Sequence, residues 1–177
     1  YSETPAIKSK VSSKSGKKGG LMSDISQLNY VLLRGQGENG ALRTYYDKAF
    51  SLWQSVWKQT FSELYGDASL FSNDFTRQSE VGALFQNERC VMLSFFRHVD
   101  ASLQSVREDS YFQAWTESAF SKLQRDGSDI LVGSNITLSP EVRGKNFFLP
   151  LKDLVLSLSV KNLLESGASA MTGTTRN

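Results

Sequence analysis

Residues 41–65 carry the strongest pattern in this chain. Apolar residues recur there at spacings of three and four, and polar or charged residues fill the positions between them. This is the period of a helix with one buried face. Gly66 is expected to end the helix. The apolar face is rich in aromatic residues and consists of Leu42, Tyr45, Tyr46, Ala49, Phe50, Trp53, Val56, Trp57, Phe61 and Leu64.

The remaining patterns predict strands and two further helices. Asn87 and Glu88 separate two β-rich runs and predict a hairpin turn, and Gly82 indicates a bulge in the first of these runs. Periodicity predicts helices over residues 109–125 and from Pro150 to Gly167. The predicted strands cover residues 29–34, 80–86, 89–99, 130–138 and 168–172. This order predicts an α+β (mixed α/β) fold with one twisted sheet flanked by helices, whose last strand runs parallel to residues 130–138.

Size and composition bound the class of protein. The chain has 177 residues, 40% of them hydrophobic and 21% charged, which predicts one soluble, cytoplasmic domain. No apolar run approaches the roughly 18 residues that a membrane span needs. The single cysteine, Cys90, excludes a disulfide framework and a thiolate metal site, and its apolar neighbours predict a small buried side chain rather than a reactive thiol. We expect no metal.

The positive charge of the chain is concentrated near its start. Five lysines lie among serines and glycines in the first twenty residues, and the rest of the chain carries no basic excess. A segment of this composition cannot bury enough apolar surface to fold, so residues 1–22 are interpreted as a disordered arm and residues 23–177 as the folded domain. The arm could touch nucleic acid, but a solvated terminus explains it better, and nucleic acid is not an expected partner.

The segment from Ile136 to Phe148 reads Ile-Thr-Leu-Ser-Pro-Glu-Val-Arg-Gly-Lys-Asn-Phe-Phe. A strand that feeds a loop and then a helix directs several backbone N–H groups into one space, and that space attracts phosphate oxygens. Arg143 and Lys145 add positive charge there, and Gly144 lets the chain turn closely. The segment therefore predicts an anion-binding loop.

This strand, loop and helix resemble the central motif of the GNAT superfamily of N-acyltransferases, in which Arg-x-x-Gly-x-Gly or Ala cradles a pyrophosphate. The element order is similar from Asn29 to Thr172. The resemblance implies a GNAT-like twisted mixed sheet and transfer of an acyl group from a thioester to a small-molecule or peptide amine. It also implies that the family's last helix and two strands are lacking from residues 23–177. Either these elements follow Asn177, which we favour, or the chain is a shortened relative whose sheet edge needs another partner.

The resemblance places the acyl donor on backbone groups of the motif strand and on the loop that follows. The residues so implicated are Ile136, Thr137, Leu138, Arg143, Gly144, Lys145, Asn146, Phe147 and Phe148. The co-substrate would be acyl-CoA or an acyl-phosphopantetheine on an acyl carrier protein. Asn146 and Phe148 stand where the family has small residues, and the bulk of Phe148 should crowd a pyrophosphate. That favours a carrier-protein donor, as in the autoinducer synthases and long-chain N-acyl amino acid synthases.

Other readings of the same residues remain open. The altered loop is also consistent with a non-catalytic GNAT-like module that serves protein association. The aromatic face of residues 41–65 could line an acyl-chain tunnel, although core packing explains it better. His98, Glu80 and Glu88 are candidate bases, and Asn135 could face an acceptor groove, but ordinary surface positions explain each of them. No catalytic residue is assigned.

Overall fold

The computed structural model describes residues 27–144 and 147–173. One five-stranded sheet has the order β1-β2-β3-β4-β5; its first three junctions are antiparallel and the β4–β5 junction is parallel. The strands are β1 (Leu28–Arg34), β2 (Glu80–Gln86), β3 (Arg89–Asp100), β4 (Asp129–Leu138) and β5 (Ala170–Gly173). The helices are α1 (Arg43–Tyr65), α2 (Asn73–Thr76), α3 (Gln104–Arg107), α4 (Glu117–Leu123) and α5 (Leu151–Ser166). This arrangement confirms the predicted α+β fold with a mixed sheet flanked by helices.

The long helix α1 packs its aromatic face on the sheet, as predicted. Trp53 is 2% exposed and lies against Phe75 of α2 and Phe95 of β3, with ring centroids 5.5 and 5.9 Å away. Gly66 ends the helix with φ +69° and donates its N–H to the carbonyl of Ser62. Glycine is suited to this left-handed position because it has no Cβ. Core packing thus accounts for the middle of the aromatic face.

The β2–β3 hairpin forms as predicted, but the bulge prediction at Gly82 is wrong. Asn87 and Glu88 both have positive φ, as a two-residue type I′ turn requires. The register shift between β2 and β3 lies at Leu84 and Phe85 instead. Gly82 serves a close approach, because a Cβ there would stand 2.1 Å from the hydroxyl of Tyr30.

The predicted helix over residues 109–125 is also wrong, since only its second half is helical, as α4. Polar side chains divide the segment by bonding to the backbone. Asp109 accepts the N–H of Tyr111, and Thr116, in an extended conformation, accepts the N–H of Ala119 as the N-cap of α4. The apolar residues still pack, because Phe112 and Phe120 lie together over Ile130 and Val132. The spacing of aromatic residues alone therefore predicted a longer helix than the one that forms.

Helix α5 covers the opposite face of the sheet from α1. It begins after Pro150 and ends at Gly167, as predicted. Its buried Asn162 donates a 2.7 Å hydrogen bond to the hydroxyl of Tyr30, which lies over Gly82. The strand that follows α5 pairs parallel to β4, as the crossover rule predicts. The motif strand β4 is thus held between β3 and β5.

Several predictions fall on residues outside the described ranges: the arm of residues 1–22 and the loop residues Lys145 and Asn146. Among the described residues no helix is both long and apolar enough to cross a membrane. The same residues hold no group of three or more side chains suited to a metal ion. Cys90 is buried, and burial raises the pKa of its thiol to about 12, which agrees with the prediction of an unreactive core residue.

Candidate functional site

A bulge interrupts the motif strand β4 where it pairs with β3. The partner of Phe95 is Ser134, whereas the partner of Leu93, two residues earlier on β3, is Thr137. One extra residue therefore lies on β4 between these pairs. Asn135 has φ +49°, an uncommon conformation for a residue with a side chain. Bulges of this kind increase the local twist and redirect backbone groups.

The bulge is fixed from the α1 side by a polar contact. The hydroxyl of Thr137 donates to the carbonyl of Asn135 at 3.1 Å and accepts the indole N–H of Trp57 at 2.9 Å. Thr137 is 1% exposed, so its hydroxyl needs these partners. Ile136, between the two, is 44% exposed. Trp57 thereby joins the long helix to the strand at the irregular point.

Strand β5 is described as far as Gly173 and pairs with β4 ahead of the bulge. The last parallel pair is Gly133 with Gly173, and from Ser134 onward the partners of β4 within the described part of the chain all lie on β3. Strand backbone carries hydrogen-bonding groups toward both neighbours, and the second edge of residues 134–138 has no strand partner among the described residues. These are the backbone positions that the sequence implicated through Ile136, Thr137 and Leu138.

The loop after β4 is anchored at its start by local hydrogen bonds. Ser139 donates its N–H to Val91 of β3, and its hydroxyl bonds to Glu141, which also pairs with Arg89 at 2.6 Å. A 3₁₀ turn follows at Pro140–Val142. Arg143 is exposed, and its Nε and Nη2 atoms each donate to the carbonyl of Leu138 at 3.2 Å. The guanidinium thus stays beside the end of β4.

The second half of this loop returns to the core before α5 begins. Gly144 has φ +70° and open space where a Cβ would be. Phe147 and Phe148 stack with their centroids 4.6 Å apart, and Phe147 packs on the apolar cluster beneath α5. The two rings therefore lie between Arg143 and α5 in sequence, and Phe147 faces the core.

A polar cleft opens on the α1 face of the sheet, between α2 and the segment that contains Asp109. Its volume is about 180 Å³. The lining residues include two arginines, one carboxylate and two residues of the bulged strand: Arg77, Gln78, Arg97, Asp109, Ser110, Tyr111, Val132, Ser134 and Asn135. The cleft reaches β4 at its bulge, and so the structure places Asn135 on a groove, as one interpretation of the sequence expected.

The carboxylate of Asp109 holds one side of this cleft in place. Its Oδ2 accepts Nη1 of Arg97 at 2.8 Å, and its Oδ1 accepts the N–H of Tyr111 at 2.8 Å. The hydrogen bond from Arg97 is the main cause that lowers the pKa of Asp109. The hydroxyl of Tyr111 lies 3.3 Å from that of Thr172 in β5, and burial raises its pKa. Tyr111 therefore bridges the cleft to the strand beside β4.

The candidate bases from the sequence lie elsewhere. His98 stands 3.5 Å from Asp129 at the other end of β4. Glu88 is in the hairpin turn, with its side chain 85% exposed, near Lys48. Glu80 shares the α5 face of β2 with Gly82, because alternate strand residues point to one face. None of the three lines the cleft.

Sequence reasoning did not identify the Arg97–Asp109 pair, the positions of Arg77 and Tyr111, or the bond between Trp57 and Thr137. One signal was available for Arg97. It alternates with Phe95 and Val99 along β3, so it had to share their buried face, where a charged side chain needs a partner. The other contacts join distant parts of the chain and leave no local pattern.

Comparisons with known proteins bear on the fold alone. No family model and no curated protein matches the sequence. Similar solved structures include an integron cassette protein from V. cholerae, at 7% identity and TM-score 0.48 over 85% of this chain and 76% of that one. An aminoglycoside N-acetyltransferase in complex with CoA has 10% identity and TM-score 0.46 over 84% and 77%. A ribosomal-protein-alanine N-acetyltransferase from Brucella melitensis has 10% identity and TM-score 0.46 over 85% and 81%. Scores below 0.5 at such identities carry no inference about activity or ligand.

Proposed function

We propose that this protein is an N-acyltransferase that moves an acyl group from a thioester donor to an amine. The observation that carries the proposal is the bulge of β4 at Asn135, which lies beyond Gly133, the last residue of β4 with a described partner on β5. A thioester and its amide-containing arm can hydrogen-bond along the edge that this opens, as a strand would. The donor would then lie against Ile136, Thr137 and Leu138.

At this edge the proposed reaction uses backbone N–H groups rather than side chains. The amine, as its free base, attacks the thioester carbonyl carbon, and negative charge develops on the carbonyl oxygen. The carbon–sulfur bond then breaks, and the added nitrogen loses its proton to solvent water. A backbone N–H directed at that oxygen stabilises the charge, and such fixed donors commonly supply 10²–10³-fold in rate. The bond from Trp57 to Thr137 keeps the bulge, and with it these donors, in one arrangement.

Tyr111 is the side chain that we assign to the departing sulfur. Tyr111 lines the cleft, and its hydroxyl lies 3.3 Å from that of Thr172, which pairs with Val132 of β4 ahead of the bulge. Burial raises its pKa above the ordinary value of 10.0, so the phenol keeps its proton at neutral pH. A protonated phenol can give this proton to the thiolate as the carbon–sulfur bond breaks.

The loop after β4 would hold the phosphate end of the donor. Arg143 is exposed beside Leu138, and the space around Gly144 is open. Lys145 and Asn146, next in sequence, complete the loop that we assign to the anion. The stacked Phe147 and Phe148 rings narrow the approach to α5. That arrangement favours a donor with a single phosphodiester, an acyl group on the phosphopantetheine of a carrier protein.

Ligand-induced stabilisation tests the activity class. A ligand bound only by the folded state raises the unfolding midpoint, by about 2.7 kcal/mol in free energy at a hundred times its Kd. We expect a shift with at least one donor among acetyl-, octanoyl- and palmitoyl-CoA and acylated carrier protein, and thiol release once an amine is added. Arg143→Gln should weaken the shift, whereas Arg125→Gln, an exposed arginine outside the loop, should not. No shift with any donor would remove the acyltransferase proposal.

The choice between donors can be tested at Phe148. Phe148→Gly should improve binding of CoA itself, because it opens the position at which the pyrophosphate would come close to the backbone. Phe71→Gly, which removes a 74% exposed ring far from the loop, is the matched control. Titration calorimetry with CoA measures both variants. Tight CoA binding by the unmodified protein would contradict the preference for a carrier protein.

A further inference from the structure

We propose that the amine acceptor carries an anionic group, a carboxylate or a phosphate, which Arg97 and Arg77 bind in the cleft beside the β4 bulge. The proposal rests on the N-acyltransferase function and names the class of its second substrate. It concerns the cleft of about 180 Å³ between α2 and the Asp109 segment. An acceptor there would meet the donor at Ser134 and Asn135, which line the cleft and begin the open edge of β4.

The charges of the cleft favour an anion. Two guanidinium groups and one carboxylate line it. Both oxygens of Asp109 are already engaged, Oδ2 by Arg97 and Oδ1 by the N–H of Tyr111. Asp109 therefore serves to position Arg97, and the excess positive charge is left for a ligand. An incoming ammonium-rich ligand would find no uncommitted carboxylate among the described lining residues.

The arginines also have donors to spare. Arg97 uses Nη1 for Asp109, and Arg77 uses Nη2 for Asp74, in the part of the chain that the structure describes. A guanidinium presents five N–H donors in a planar fork that fits a carboxylate or a phosphate with two parallel bonds. Arg97 is the less exposed of the two, at 31% of its side chain against 64% for Arg77. Its bonds are therefore screened less by water, and we expect it to contribute more.

The size of the cleft points to a small acceptor. Sites for drug-sized molecules have volumes of roughly 300–1,000 Å³, and this cleft is smaller. An α-amino acid or a phosphorylated amino alcohol fits such a space. A polycationic aminoglycoside is too large and has the wrong charge. The cleft thus selects against the acceptor type that one of the similar structures is named for.

Acceptors matched in shape but not in charge provide the test. L-serine and L-glutamate offer a carboxylate, and phosphoethanolamine offers a phosphate. L-serinamide and ethanolamine are the counterparts that lack the anionic group, and kanamycin is the polycation. Binding to the donor-free protein is measured by titration calorimetry, and thiol release is measured separately with the donor that gives the largest thermal shift. We expect at least one amine with an anionic group to bind tenfold or more tightly than its counterpart without that group. This difference in affinity should decline as salt is added.

Substitutions test which residues cause the preference for an anionic amine. Arg97→Gln should abolish the tenfold difference, and Arg77→Gln, at a more exposed position that is safer for folding, should reduce it by about half. Arg97→Lys retains the charge but not the fork, and should recover only part of the binding. Arg125→Gln is the control, since Arg125 is exposed and pairs with its neighbour Asp126.

The outcomes separate this proposal from the acyltransferase function. Thiol release that is as fast with ethanolamine or kanamycin as with every anionic amine would overturn the acceptor class and leave the acyltransferase intact. Selective anion binding without thiol release from any donor would overturn the acyltransferase, and with it the role of the anion as acceptor. A preference that survives in both Arg97→Gln and Arg77→Gln would overturn the assignment to this cleft.

Discussion

Two parts of the chain pack on the α1 face of the sheet, and they are built differently. We call them the first and the second cover. Over β1–β3 the cover is α1, one unbroken helix whose Trp53 packs with Phe75 and Phe95. Over β3 and β4 it is the segment 101–128, mostly turns with the short helix α4. That segment also buries aromatic rings, but it is tied to β3 by the ion pair between Arg97 and Asp109.

The difference between the covers explains where the cleft lies. A regular amphipathic helix fills its share of the sheet with apolar side chains and excludes water. The second cover has polar side chains that bond to its own backbone, and at its border with the first the sheet presents Arg97 and Ser134 instead of apolar groups. The first cover fills its part of this face with aromatic rings, and the polar cleft lies between α2 and the second cover.

The largest expected loss of stability follows from a substitution in the first cover. Trp53→Ala should destabilise the protein by about 3–5 kcal/mol, because it leaves a cavity among rings that cannot close over it. Phe120→Ala, in the second cover, should cost less, at the lower end of this range or about 3 kcal/mol, since Phe120 is 5% exposed and lies on a short helix. Urea unfolding of both variants measures the difference. An equal or greater loss for Phe120→Ala would contradict the contrast between the covers.

A smaller effect is expected at the ion pair between β3 and the second cover. Asp109→Asn should cost about 1–3 kcal/mol at neutral pH, because Arg97 loses a charged partner. The pKa of Asp109 is lowered below its ordinary value of 3.8, chiefly by the hydrogen bond from Arg97. This stabilisation is therefore present above pH 3.8 and is lost as pH falls through the folded-state pKa.

Unfolding curves at several pH values check this account of Asp109. The stability difference between the wild type and Asp109→Asn should shrink toward acid. A difference that stays constant down to the acid limit of folding would show that the charge of Asp109 is not what matters. Asp126→Asn, at a fully exposed pair with Arg125, is the control and should change stability little.

The smallest effect on stability is expected where α1 meets the bulge. Trp57→Phe keeps an aromatic ring but removes the hydrogen bond to Thr137, which should cost about 1 kcal/mol. The proposed function predicts more than this, a fall in kcat that exceeds the change in KM, because the bulge is less well fixed. Steady-state thiol release measures both constants. Unchanged kinetics with the same loss of stability would reduce Trp57 to a structural residue.

The parts of the fold that repeat locally could be predicted from the sequence. A local pattern in the sequence predicts each of three elements: α1, the Asn87-Glu88 turn, and the helix between Pro150 and Gly167. The prediction of a helix over residues 109–125 was wrong because the side chains of Asp109 and Thr116 hydrogen-bond to the backbone. These bonds compete with helix formation, and the spacing of apolar residues does not reveal them. Gly82 was misread because its reason, the ring of Tyr30, lies on another strand.

The candidate site was predictable only where it follows one stretch of chain. The motif identified β4 and Arg143, and the bulge now falls beside the predicted Ile136, Thr137 and Leu138. The cleft combines residues from α2, β3, β4 and the Asp109 segment, and only folding brings them together. Arg97 illustrates the limit, since its place on a buried face was visible in the sequence but its partner was not.

Amide hydrogen exchange along β4 tests the central claim most directly, that a thioester donor binds to the open edge of the bulged strand. The exchange of residues 134–144 is compared without and with the donor that gives the largest thermal shift. The proposed function predicts slower exchange in this segment, including the amides of Ile136 and Leu138, and little change in the hairpin turn at Asn87. Protection that leaves residues 134–138 unchanged and appears elsewhere would contradict the claim.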